Sequence, residues 1–141
     1  MEKHMNQALK MAQKGMTPFG AVVVYQGEVI ATAYNTVKHE MDPTAHAEVN
    51  AIREACKKVE ADKLPGAELF TTCEPCPMCA AAAFFAGISH IYYGADIPTI
   101  ARYLPQIHLR AAEVIGKADR AMKVVQLGEV DDFVRLLEKY G

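Results

Sequence analysis

At 141 residues, 51% of them hydrophobic and 23% charged, the chain has the size of one ordinary domain and apolar material for a real core, which excludes a disordered protein. A net charge of −2 and a pI near 6.2 exclude a broad attraction to phosphate backbones or anionic lipid and leave room only for a local basic patch. The longest apolar run, Cys79 to Ile88, falls far short of the roughly 20 residues of a membrane span, and MEKHMNQALK holds no apolar signal core, so a cytoplasmic location without a membrane partner is expected.

Met5, Ala8, Leu9 and Ala12 recur at helical spacing and Gly15 closes the pattern, which predicts a first amphipathic helix. Gly20 to Tyr25 is a short β-branched run. Gln26-Gly27 follows, and from Glu28 to Asn35 the residues Val29, Ala31 and Ala33 alternate with Ile30, Thr32 and Tyr34; the pattern predicts a β-hairpin. Asp42-Pro43-Thr44 supplies a cap and a helix-compatible proline, so a second helix is expected from Ala45 to Val59, starting at or just before His46. After Pro65-Gly66, Ala67 to Thr72 reads as a strand, Cys76 to Phe85 as a buried helix and Ile88 to Ala95 as a strand. Leu109 to Ile115 reads as helical, Met122 to Leu127 as a strand, and Glu129 to Tyr140 as a helix with Phe133, Val134, Leu136 and Leu137 turned inward. Strands alternating with helices after an opening hairpin predict an α/β fold, a three-layer α/β/α sandwich around a mixed sheet, in one domain over residues 1–141.

Four cysteines, two of them in a C-x-x-C pair, in a chain without a secretion signal favour metal or redox chemistry over a disulfide framework. At the start of a helix, the spacing of Cys76 and Cys79 puts both sulfurs on one face, and the positive helix end stabilises thiolates. His46, in the first turn of its own helix, is the candidate third ligand, so two helix N-termini are expected to meet at one ion. Three protein ligands leave tetrahedral zinc one open position for a water, whose pKa falls from ~15.7 toward ~7. Glu48, two residues after His46, is then placed to move protons between that water and a reacting ring. Taken singly, His46 reads as a surface or core histidine and Glu48 as a first-turn carboxylate; only the combination lifts them. Cys73 leaves two readings open: a fourth ligand closing a structural Cys3His module, or a small buried residue at a strand end, which the presence of Glu48 favours. A redox pair would leave His46 and Glu48 idle, and Cys56 reads as core.

His46-Ala47-Glu48 followed by Pro75-Cys76-Pro77-Met78-Cys79 resembles the signature of the zinc deaminases, the cytidine deaminase-like superfamily, over Thr44 to Ala82. The resemblance implies a five-stranded mixed sheet between helices, one zinc ion per chain on His46, Cys76 and Cys79, Glu48 as the catalytic group, and hydrolytic loss of ammonia from a nucleobase-type ring. Met16 to Val22, Asn35, Asp42 to Glu48 and Cys73 to Cys79 further resemble bacterial guanine deaminases and tRNA adenosine deaminases, across about the first two-thirds of the chain and fading beyond Asp96. By that resemblance Asn35 is expected to hydrogen-bond the base, with Ala47 also among the substrate contacts; the plain reading of Asn35 is a loop residue bonding its own backbone. Phe19 and Phe85 are candidates to pack against a planar base, or else core.

Beyond Ile97 basic and acidic residues nearly balance, with no basic stripe, which favours a small guanine-type free base over tRNA; tRNA adenosine and cytosine-type rings remain the alternatives. Guanine deaminases use a further acidic side chain after the fourth strand, yet no carboxylate lies between Asp96 and Glu113, which leaves Asp96 as the candidate substitute. Tyr140 is expected to close the pocket, as a terminal aromatic does in the guanine enzymes, or simply to end its helix. These relatives are dimers, so a homodimer is expected.

Overall fold

The computed structural model describes all 141 residues. In chain order the elements are α1 (Glu2–Gly15), β1 (Gly20–Tyr25), β2 (Glu28–Tyr34), α2 (Val37–Glu40), α3 (Ala47–Val59), β3 (Glu68–Cys73), α4 (Pro77–Phe85), β4 (His90–Ala95), α5 (Ile97–Ile100), α6 (Ala111–Gly116), β5 (Lys123–Gln126) and α7 (Val130–Tyr140). Every element expected from the sequence is present. The single turns α2 and α5 were not anticipated, because four residues are too few for a helical period to show. α6 begins at Ala111, later than the expected Leu109: Arg110 is its N-cap, the Glu113 carboxylate accepts from the Arg110 N–H, and Leu109 stays exposed in the preceding loop.

Five strands form one sheet in the order β2-β1-β3-β4-β5. β1 runs antiparallel to both β2 and β3, whereas β3, β4 and β5 run parallel. The hairpin turns on Gln26 and Gly27, both at positive φ, which matches the right-handed twist of the flanking strands. The parallel pairs need crossovers, and α4 and α6 supply them. Registers such as Ala21 opposite both Ala33 and Thr71, and Cys73 opposite Ala95, put the carboxyl ends of β3 and β4 side by side.

β1 is covered on both faces, which explains its unbroken Ala-Val-Val-Val run. On one side Ala21, Val23, Leu69 and Ile91 pack with Ala51, Ile52 and Ala55 of α3 and Ala83 of α4. On the other, Val22, Phe70 and Tyr92 pack with Met5 and Ala8 of α1 and Phe133 and Leu137 of α7. These are the three layers of the α/β/α sandwich. Gly20 allows α1 to close on the sheet, since a Cβ there would collide with the Ala8 carbonyl and the Ala12 backbone. No helix is long and apolar enough to cross a membrane.

Candidate active site

Two of the three expected ligands occupy the same kind of position. His46 is the N-cap of α3 and Cys76 the N-cap of α4; both have extended backbone, and neither side chain caps its own helix. A cap side chain ordinarily satisfies an orphan N–H of the first turn. Here both are free to turn outward. Pro77 at the first position of α4 needs no N–H partner and fixes the backbone where the helix begins, and Cys79 follows on the buried side of the same turn. The donor atoms of His46, Cys76 and Cys79 lie within 4.8 Å of one another, with His46 Nδ1 3.7 Å from Cys76 Sγ and 3.5 Å from Cys79 Sγ. Zinc with bonds of about 2.3 Å to sulfur and 2.0 Å to nitrogen at tetrahedral angles requires S···N separations of about 3.5 Å, so the donor set fits the ion. Cys73 stays outside this group, buried at the end of β3 with its thiol 3.8 Å from the Pro18 carbonyl, which sets aside the closed Cys3His module.

The electrostatics suit a thiolate-rich centre. Without metal the hydrogen bond with Cys79, followed by that with His46, holds the Cys76 thiol down to about 4, while the thiol of Cys79 is pushed up by the same partnership and by burial. The hydrogen bond with Cys76 raises His46 in turn. The converging positive ends of α3 and α4 offset the negative charge. Glu48, in the first turn of α3, is 4% exposed; burial pushes its carboxyl up to about 7, and the Cys76 charge adds to the rise.

A cavity of about 260 Å³ opens onto this group, lined by Phe19, Asn35, His46, Glu48, Cys73, Glu74, Cys76, Ile100, Leu104, Pro105 and Gln106. Several hydrogen bonds fix its rim. Asn50 Nδ2 donates to the carbonyls of Tyr34 and Ala45 and to Thr36 Oγ1, tying the end of β2 to the loop that carries His46. The Asp42 carboxylate accepts from the Thr44 N–H and hydroxyl, shaping the same loop from the other side. Thr72 donates to the Pro18 carbonyl and accepts from the Gly20 N–H, which holds Phe19 between them.

The expected substrate contacts separate. Phe19 and Asn35 line the cavity; the Asn35 side-chain oxygen Oδ1 accepts from the Val37 N–H at 3.0 Å, so the reading of Asn35 as a loop residue bonding its own backbone holds as well, and its Nδ2 is left free. Tyr140 borders a wider outer cleft of about 580 Å³, which shares Phe19, Asn35, His46 and Leu104 with the inner cavity and adds Lys38 and His39. Three other residues named from the sequence lie outside the lining of the inner cavity. Phe85 lies at the far end of α4, 65% exposed and away from the cavity. The Asp96 carboxylate caps α5 by accepting from Thr99 N–H at 2.9 Å and does not line the cavity. Ala47 is fully buried in the core beneath α3. Periodicity places such residues on an element but does not aim them. The residues that sequence reasoning missed, Glu74, Asn50, Leu104 and Gln106, act across the fold; the only signal was a carboxylate at position 74 in an otherwise apolar stretch.

A His-Cys-Cys donor group beside a buried glutamate, at the carboxyl ends of a mixed sheet, defines the class of zinc-binding domains of the cytidine deaminase type. Residues 1–95 match the family of the cytidine and deoxycytidylate deaminase zinc-binding region, and the chain belongs to it. It is 46% identical over 98 residues to a tRNA-specific adenosine deaminase of Agrobacterium fabrum, a match covering 70% of this chain and 64% of that protein. It is 44% identical over 100 residues to a guanine deaminase of Bacillus subtilis, covering 67% and 64%. The chain thus spans just under two-thirds of the length of these relatives. Among solved structures, one from a study of tRNA:A34 deaminases superimposes with a TM-score of 0.85 at 34% identity, over 96% of this chain and 99% of the other. A guanine deaminase of Nitrosomonas europaea superimposes with a TM-score of 0.88 at 25% identity, over 99% and 83%.

Proposed function

We propose that this chain removes the exocyclic amine of a nucleobase-type ring by zinc-dependent hydrolysis, releasing ammonia. The observation that carries this reading is that His46, Cys76 and the buried Glu48 line one base-sized cavity. Zinc, when held by His46, Cys76 and Cys79, supplies a water acidified for attack on the amine-bearing carbon. Glu48 would carry two protons in turn, the first from the attacking water to the ring nitrogen and the second from the hydroxyl that water becomes to the departing amine; a carboxyl near neutrality suits both uptake and release. Asn35 Nδ2 and Phe19 orient the ring, and Leu104 and Pro105 exclude water from it.

For the substrate, a small free base of guanine type is the first reading. It is supported by the guanine deaminase relatives, by the small size of the inner cavity, and by an outer cleft whose only basic side chains are Lys38 and histidines. Gln106 stands in the part of the cavity wall supplied by the segment between Asp96 and Glu113, which holds no carboxylate, so a neutral amide would read the ring edge there. The second reading, adenosine in tRNA, is favoured by the outer cleft, which leaves space for flanking nucleotides, and by the tRNA deaminase relatives. The homodimer belongs to the same proposal. α4 is apolar on all sides, and Phe85 and part of Phe84 have no cover within the chain, which suits a second copy.

The test is ammonia release from zinc-loaded protein offered guanine, adenine, cytosine, their nucleosides and tRNA anticodon stem-loops. Turnover of a free base supports the first reading, and turnover of the stem-loop alone replaces it with the second. No turnover of any of them, with one zinc ion bound per chain, rejects the enzyme reading.

A further inference from the structure

Glu74 lies between Cys73 and Pro75, two residues before a metal ligand, yet the chemistry above gives it no task. Its carboxylate is 3% exposed at residue level and saturated. Oε1 accepts from the Ile97 N–H at 2.7 Å and from Arg110 Nε at 2.9 Å; Oε2 accepts from Arg110 Nε at 3.0 Å and from the Ala111 N–H at 2.8 Å. Three donors from two distant points of the chain therefore converge on one buried acid. No lone pair remains to take a proton from a substrate or to bind an ion, so Glu74 is not a second base.

The two anchor points bracket a particular stretch. Ile97 starts α5, and Arg110 and Ala111 start α6; between them lies the segment that supplies Ile100, Leu104, Pro105 and Gln106 to the cavity wall. Within that segment every backbone N–H bond from Ala101 to Leu109 goes to a residue of Ile97 to Ile107. The Gln106 side chain likewise bonds only its neighbour, the Pro105 carbonyl. No backbone hydrogen bond ties this wall to the sheet. Its polar attachments to the metal loop are the bonds to Glu74 at its two ends, and the Arg110 guanidinium is steadied in turn by Nη2 on the Tyr93 hydroxyl at 3.2 Å. The Glu74 N–H meanwhile donates to the Ala95 carbonyl at 2.7 Å, which fixes the acid to the end of β4.

We infer that Glu74 is the positioning residue of the site: it staples both ends of the Ile97 to Ala111 wall to the loop carrying Cys76, and so sets the shape of the cavity that receives the ring. The inference deepens the proposed function but does not depend on it for its first test, since the staple is a property of the chain with or without turnover.

The experiment compares zinc-loaded wild type with Glu74→Gln and Arg110→Ala. Glutamine keeps the shape but turns an NH2 toward a backbone N–H, leaving donor against donor, and removes the charge that Arg110 meets. Arg110→Ala leaves the two backbone bonds in place at a position of intermediate exposure, so it reports even where the buried substitution prevents folding. Amide exchange between positions 97 and 111 is expected to rise about tenfold or more in Glu74→Gln and less in Arg110→Ala, with β1 protection and one zinc ion per chain unchanged. With whichever ring the ammonia screen identifies, KM is expected to rise about tenfold while kcat changes by less than about threefold, the mark of lost binding rather than lost chemistry. Arg110→Lys, which keeps the cation, should recover part of both effects. Unchanged exchange at 97–111, or a rise spread evenly over the whole chain in both variants, overturns the inference. A fall in kcat at constant KM also overturns it, by placing Glu74 in the chemistry. Should no substrate be found, the exchange measurement still decides.

Discussion

Glu48 carries the greatest chemical demand of any side chain in the molecule, because it is a buried acid beside two sulfurs and a histidine. Replacing it by glutamine leaves the metal donors untouched, so zinc content should stay at one per chain while turnover falls about 100- to 10,000-fold, as measured by ammonia release. A variant keeping near-normal turnover would remove the assignment. The same burial has a consequence for stability in zinc-free protein. The folded carboxyl titrates at about 7, above its unfolded value of about 4.5, so folding favours its protonated form. The stabilisation is complete below the unfolded value and is lost as pH rises through 7. Zinc-free Glu48→Gln, which cannot ionise, should therefore gain stability relative to zinc-free wild type between pH 5 and pH 8; urea titrations at both ends of that window give the sign. At this scale the sequence was most informative where spacing alone dictates geometry. His46 and Cys76 are N-caps and Glu48 and Cys79 follow in the first turns of the same helices, where two or three residues of separation fix the relative direction of side chains. That Asp96 and Phe85 lie outside the lining of the inner cavity was not legible, because their aim depends on what their elements pack against, and no local period encodes that.

Helix starts and the loops before them are where the elements make the site. The loop from Asn35 to Ala45 is held chiefly by side chains, and Asn50 alone makes three of those bonds from the flank of α3. Asn50→Ala should cost about 1–3 kcal/mol in urea denaturation, because it removes three hydrogen bonds at a half-buried junction, although the Ala45 carbonyl keeps the Thr36 N–H and the Thr36 hydroxyl keeps Glu40. Asn50→Asp should cost more at pH 7, since a carboxylate would face two carbonyl oxygens. Equal stability of Asn50→Asp and wild type would show that these bonds contribute nothing. α4 poses the opposite case, an element with apolar residues to spare. Its composition read simply as buried, and the chain covers Cys79, Ala80 and Ala83 but leaves Phe85 in solvent. Phe85→Glu should shift the sedimentation of the protein from dimer to monomer with zinc content intact; a wild-type monomer would refute the homodimer. Sequence periodicity finds such a face, whereas what lies against it is written on another surface.

At the scale of the molecule, the alternation of elements in the sequence was enough to reach the sandwich, since parallel neighbours demand helical crossovers and a hairpin demands an antiparallel edge. Strand order was not legible, because it arises from which faces meet across the sheet; the meeting of α3 and α4 was legible only through the ligands at their starts. That architecture separates the metal from the core. The two large apolar clusters lie within the sandwich layers, and of the three metal donors only Cys79 is fully buried. A structural zinc module is unfolded without its ion, whereas a catalytic ion sits on a fold that stands by itself. Chelation should accordingly leave the far-UV circular dichroism of this protein native at 25 °C. It should still lower stability by the linkage of binding to folding, about 2.7 kcal/mol relative to protein in free zinc at 100 times its dissociation constant, or a melting shift of a few degrees. Refilling with zinc should reverse the shift without a refolding step. Loss of secondary structure on chelation would instead make the ion part of the scaffold, and Glu48 would then be a buried acid beside a structural metal.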